Sequence, residues 1–111
     1  DEESWLTFGM RDRVPVMVTG PTTLLARHPP TRTIGRFAPA HTLRISGLLW
    51  PEGRLRFANT SYCTQEQVGR GQVILFASQP NFRGFFRGSE RLLSNAILFG
   101  PGMGTSRAPK W

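Results

Sequence analysis

The chain has 111 residues, 39% apolar and 11% aromatic, with a formal net charge of +7 at pH 7. That length suits one domain large enough to bury a core. No segment approaches the apolar length of a membrane-spanning helix, and a single cysteine, Cys63, excludes an internal disulfide.

The positive charge is carried by arginine, Lys110 being the only lysine. Strong basicity raises the question of nucleic acid or another polyanion. The arginines, however, are scattered from Arg11 to Arg107 with no run of five like charges, which argues against a nucleic-acid partner. No basic-then-apolar signal peptide opens the chain, which begins Asp1-Glu2-Glu3 and leaves the compartment open.

Residues 1–13 read as loop, with Trp5, Leu6 and Phe8 needing a place to pack. Val14–Thr19 reads as a short strand, which Pro15 confines to a strand start or an edge, and Gly20-Pro21 breaks it. Thr22–Arg27 is a second short apolar piece, strand or helical turn. His28-Pro29-Pro30 reads as an extended linker, because residues before proline avoid the α region. Thr33–Ala38 alternates and predicts a strand closed by Pro39.

Leu43–Trp50 is an apolar block interrupted by Ser46-Gly47, a bent strand or a strand entering a helical turn. Pro51-Glu52-Gly53 reads as a turn. Leu55, Phe57 and Ala58 alternate with Arg54, Arg56 and Asn59, the period-two pattern of a half-exposed strand. Ser61–Val68 predicts a strand that enters the tight Gly69-Arg70-Gly71 turn and pairs with Gln72–Ser78 in a β-hairpin. Within it, Val73–Ala77 is a continuous apolar run, which suggests a strand covered on both faces and ended by Pro80.

A helix follows. Ser89 is the expected N-cap, and Glu90 suits the positive end of the helix dipole. Leu92, Leu93, Ala96 and Ile97 recur at helical spacing and predict the core-facing stripe. Gly100 and Pro101 are the expected stop signals, and Pro101–Trp111 reads as an irregular tail. The elements add up to an α+β domain over residues 1–105, with a mixed or mainly antiparallel sheet and one principal C-terminal helix; residues 106–111 are tail.

Candidate chemistry is sparse. His28 and His41 are the only histidines, and neither has a spaced partner that would make a metal-ligand pair. Cys63 lies in a strand-like run between Tyr62 and Thr64, with no basic neighbour to activate it, and reads as a buried inert thiol. No Gly-x-Ser-x-Gly elbow occurs. Gly100-x-Gly102-x-Gly104 follows a helix where a phosphate cradle would open one. The most unusual local feature is the loop from Asn81 to Gly88. Its Asn81, Arg83, Phe85, Phe86 and Arg87 are the candidate binding residues, because a pair of arginines can clamp an anion and aromatics can mark an interface. The competing reading has the arginines bonding local carbonyls or carboxylates while the phenylalanines pack.

Five segments carry a family resemblance: Trp5-Leu-Thr-Phe-Gly9; Ser46-Gly47 with Trp50-Pro-Glu52; Val68–Phe76; Pro80-Asn-Phe-Arg-Gly84; and Arg87–Leu93 with Asn95-Ala96. Together they resemble the C-terminal region of bacterial zinc carboxypeptidase-like metallopeptidases, where a domain similar to a class I glutamine amidotransferase follows the peptidase domain. The resemblance implies that this chain matches the C-terminal half of that α/β domain, with further strands upstream and an open sheet edge prone to self-association. It implies a non-catalytic accessory domain of a secreted or periplasmic protein that serves domain packing, substrate placement or oligomerisation, with the parent's peptidase domain as partner. Zinc would belong to that peptidase domain, and no cofactor or catalytic residue is expected in this chain. The alternative from the residues alone is an arginine-rich module for an anionic ligand or nucleic acid.

Overall fold

The structure, a computed structural model, describes residues 3–26 and 28–103. In chain order it holds a short 3-10 turn (Trp5–Thr7), β1 (Arg32–Arg36), α1 (Pro51–Phe57), β2 (Ser61–Val68), β3 (Gly71–Phe76), a second 3-10 turn (Phe82–Gly84) and α2 (Arg87–Met103). The three strands form one antiparallel sheet in the order β1-β2-β3. This is an α+β fold with α2 as the principal helix; every described strand pair is antiparallel.

The hairpin forms where expected. Val68 pairs with Gly71 across a two-residue turn, and Gly69 has φ of +59° while Arg70 does not enter positive φ. Positive φ at the first central residue alone is the type II′ pattern that suits the twist of a hairpin. The apolar run of β3 is not covered on both faces. Val73 and Leu75 are 42% and 50% exposed, whereas Ile74 and Phe76 pack against the core. A terminal strand with a helix on one face only has an open opposite face, and a run of apolar residues does not reveal that.

Three expected strands are absent. Val14–Thr19 lies outside the sheet as irregular chain, held where the Ser78 hydroxyl donates to the Met17 carbonyl at 2.6 Å. Leu43–Trp50 is loop. Pro51–Phe57 is α1 where a turn and a half-exposed strand were expected. Pro51 occupies the first helical turn, where its missing N–H costs nothing. Glu52 lies in the first turn and Arg54 and Arg56 in the last, all favourable for the helix dipole. Of the seeming alternation, Phe57 is buried and Leu55 is 74% exposed. His28-Pro29-Pro30 is a turn, closed by the Thr31 amide on the His28 carbonyl at 3.1 Å, where an extended linker was expected. Leu24 contributes a single bridge to Ser61.

The core consists of Leu6, Ile34, Phe37, Phe57, Tyr62, Cys63 and Leu92. Phe37 meets Phe57 and Tyr62 edge to face, at 5.3 and 5.6 Å between centroids, the arrangement that ring quadrupoles favour. Two polar side chains of α2 are buried with it, and both correct the expected helix. Ser89 is not the N-cap. The helix starts two residues earlier, and the Ser89 hydroxyl donates to the carbonyls of Pro80 (2.7 Å) and Phe86 (3.1 Å). Asn95 donates to the carbonyls of Leu6 (2.8 Å) and Phe8 (3.0 Å), pinning the N-terminal 3-10 turn onto α2. The buried stripe is therefore Ser89, Leu92 and Asn95, while Ile97 is 64% exposed.

Gly100 and Pro101 do not stop α2, which runs to Met103. So near a C-terminus, Pro101 removes a single hydrogen bond, to the Ile97 carbonyl. The Gly100 carbonyl, one of the orphans of the last turn, accepts from the Gln72 amide at 3.0 Å, and Gln72 in turn accepts from Gln65 at 2.6 Å. The tail from 104 onward, including the expected 106–111 tail, lies outside the described residues.

Candidate functional site

The loop that links β3 to α2 carries four of the five candidate residues, and the fifth, Arg87, opens the helix itself. Asn81 precedes the 3-10 turn and is exposed. Arg83 sits inside that turn at φ of +48°, with its guanidinium 5.4 Å from the Phe82 ring centroid. Phe82 lies beside Phe85 at 6.4 Å, and Phe85 is 69% exposed. Phe86 is half-buried, and its carbonyl receives the Glu90 amide (3.0 Å) and the Ser89 hydroxyl. Arg87 opens α2 and faces solvent.

Asn81, Arg83, Phe85 and Arg87 are thus exposed, while Phe86 is half-buried. Arg83 is occupied by the neighbouring ring, an attraction between cation and π-face. The rule that ligands bind at the carboxyl ends of strands belongs to open, mostly parallel α/β sheets, and this sheet is antiparallel.

Cys63 is fully buried in the central strand, and burial pushes its thiol pKa up to about 12. A thiol so held stays protonated at neutral pH and is a poor nucleophile. Burial also raises the Tyr62 phenol, whose hydroxyl lies near those of Ser78 and Ser89 without completing a hydrogen bond. His28 and His41 are both exposed loop residues. Among the described residues no group of three or more His, Cys, Asp or Glu side chains is placed to hold a metal, and no helix is long and apolar enough to cross a membrane.

What the sequence reading missed is the apolar surface around α1. Ile45 (78% exposed), Leu48 (81%), Trp50 (68%) and Leu55 lie on the Leu43–Trp50 loop and the helix it enters. A bent strand, or a strand entering a helical turn, was expected over this block. In the structure only Leu43 and Leu49 pack inward. Pro51 was the available signal, because a proline just after an apolar block can open a helix as readily as close a strand. Nearby, the Arg44 guanidinium donates to the Gly47 carbonyl at 3.2 Å and keeps the loop folded on itself. A second feature is a shallow groove between β3 and α2, about 350 Å³, lined by Gln72, Ile74, Ala96, Ile97, Gly100 and Pro101.

The fold and these surfaces define a small α+β domain with an inert core thiol and apolar side chains turned outward on α1, on the α1 loop and along α2. No family model, curated protein or solved structure matches the chain.

Proposed function

We propose that this chain is a non-catalytic interaction domain, the accessory domain of a zinc carboxypeptidase-like metallopeptidase, which docks on the peptidase domain of its parent. There it serves domain packing, substrate placement or oligomerisation. The parentage rests on the sequence resemblance, and zinc chemistry belongs to the peptidase domain. The observation that carries the interaction role is the exposure of Trp50 at 68%, together with Ile45, Leu48 and Leu55, within one short stretch of chain. A tryptophan held in the open at a helix start is the kind of anchor that dominates protein interfaces.

The parent polypeptide tests the reading. It is prepared whole, without residues 1–105, and with Trp50→Ala. Deletion is expected to impair assembly or peptide turnover, and Trp50→Ala to weaken the docking of the separated domains at least tenfold without unfolding this one. Folding, assembly and turnover that survive the deletion unchanged would remove the proposal.

A further inference from the structure

The hairpin leaves one hydrogen-bonding edge of the sheet open. Val68 and Gly71 close the two-residue turn as a hydrogen-bonded pair, and such pairs recur at every second position along an antiparallel ladder. The Ala77 amide donates to the Tyr62 carbonyl at 2.8 Å, which fixes the same alternation at the far end. The amides and carbonyls of Gly71, Val73 and Leu75 therefore bond β2, and those of Gln72, Ile74 and Phe76 point away from the sheet. Among the described residues no backbone group answers them.

The two sheet edges are not alike. β1 is broken by register shifts between Thr33 and Gly35 and between Gly35 and Arg36, and it carries arginine at both ends. Bulges and charges are the usual means of blunting an edge. β3, Gly-Gln-Val-Ile-Leu-Phe, has no charge, no proline and no break in register against β2.

We propose that β3 pairs antiparallel with β3 of a second copy of this chain, in the register centred on Ile74. The proposal deepens the interaction-domain reading by naming one partner for it. In this register Ile74 meets its counterpart and Gln72 meets the partner's Phe76, so every outward amide and carbonyl of the three residues is used on both copies. On the open face the same register sets Val73 against the partner's Leu75, which covers the two half-exposed apolar residues of the strand with each other. The seam is about 20 Å long and, with a helix layer about 10 Å above the sheet, roughly 20 Å deep. It covers on the order of 500 Å² per copy, or about 1,000 Å² in total, the low end for a specific interface. The dimer is thus reversible, with a dissociation constant of roughly micromolar order or weaker. Each copy carries +7, and none of that charge lies on the strand itself. Salt screens the long-range repulsion, so self-association strengthens as salt rises, whereas a polyanion or acidic peptide on the same protein would be released.

Sedimentation equilibrium of the 111-residue chain, from about 10 μM to about 1 mM at low and high salt, reads this directly. A monomer–dimer equilibrium that tightens with salt is expected. Leu75→Lys, on the open face, is expected to weaken it at least tenfold with an unchanged circular dichroism spectrum. The register has its own readout, independent of that variant's folding. Directly opposed residues of a non-hydrogen-bonded pair lie about 4.5 Å apart at Cα, within disulfide range. A mixture of Val73→Cys and Leu75→Cys chains under mild oxidation is therefore expected to cross-link, far more than Val73→Cys alone. A chain monomeric to about 1 mM, a dimer indifferent to Leu75→Lys, or equal cross-linking by Val73→Cys alone would overturn the proposal. Trp50→Ala leaves this seam intact, so loss of docking through α1 and loss of self-association are read separately.

Discussion

Single side chains hold the layers together here, and several of them are polar. Asn95 is 2% exposed and bonds two carbonyls of the N-terminal segment. Replacing it with alanine strands both acceptors beside a small void, so Asn95→Ala should cost about 2–3 kcal/mol in urea unfolding. Gly88 is a matter of space: a Cβ there would lie 2.6 Å from the Val14 side chain. Gly88→Ala should destabilise by about 1–3 kcal/mol through overpacking, and because the Val14 Cβ is itself one of the atoms at 2.6 Å, Val14→Gly in the same chain should recover part of the loss where Val14→Ala should not.

Cys63 gives a pH dependence whose sign follows from its raised pKa. The unfolded thiol ionises near pH 9 while the folded one stays protonated to about pH 12. Stability is therefore fully present below about pH 9 and falls as pH rises toward 12, by about 1.4 kcal/mol per pH unit from this group. Cys63→Ala should flatten that alkaline slope. In the native protein the thiol should resist alkylation at pH 8 and react once denatured; rapid native labelling would contradict its burial.

At the scale of elements, the hairpin and α2 were legible because their signals are local. Gly69 lies at positive φ with open space around it, so its constraint is the backbone angle alone, and Gly69→Ala should destabilise by about 1 kcal/mol. Gly102 lies in the last turn of α2, without positive φ and with nothing near its absent Cβ. Gly102→Ala should leave stability unchanged or raise it by a few tenths of a kcal/mol. The misread boundaries share a cause. Ser89, Gly100 and Pro101 are all common at helix ends, but all three lie inside this helix, and two are used there, Ser89 through its donated hydrogen bonds and Gly100 through the Gln72 amide on its carbonyl. A terminator residue shows only that a helix end is tolerated nearby. Partners from other elements, Pro80 and Gln72, decided how these residues were used.

For the whole molecule, the balance between buried and exposed apolar groups is the informative quantity. Besides the α1 surface and β3, α2 exposes Ile97, Leu98 and Met103, and Phe8 leans on Phe99 edge to face at 6.4 Å. The two arginines of the candidate loop make no clamp, since Arg83 rests on Phe82 and Arg87 faces solvent. Binding to short DNA or RNA should accordingly be weak, with affinity falling far less than 10³-fold between about 50 and 200 mM salt, the drop that several phosphate contacts would give.

The α+β class, the hairpin turned at Gly69-Arg70, the helix running through Leu92 and the lack of a base beside Cys63 are all legible in the residues alone. Each follows from neighbours within a few positions: glycine's freedom of φ, helical spacing, and a thiol with no base beside it. Which apolar residues face inward was set by packing between elements. Val73, Leu75, Ile45 and Trp50 carry the same hydrophobic signal as Ile34 and Leu92, and local sequence cannot say that no second layer covers them. Burial depends on what packs opposite, and here these four side chains remain 42% to 78% exposed.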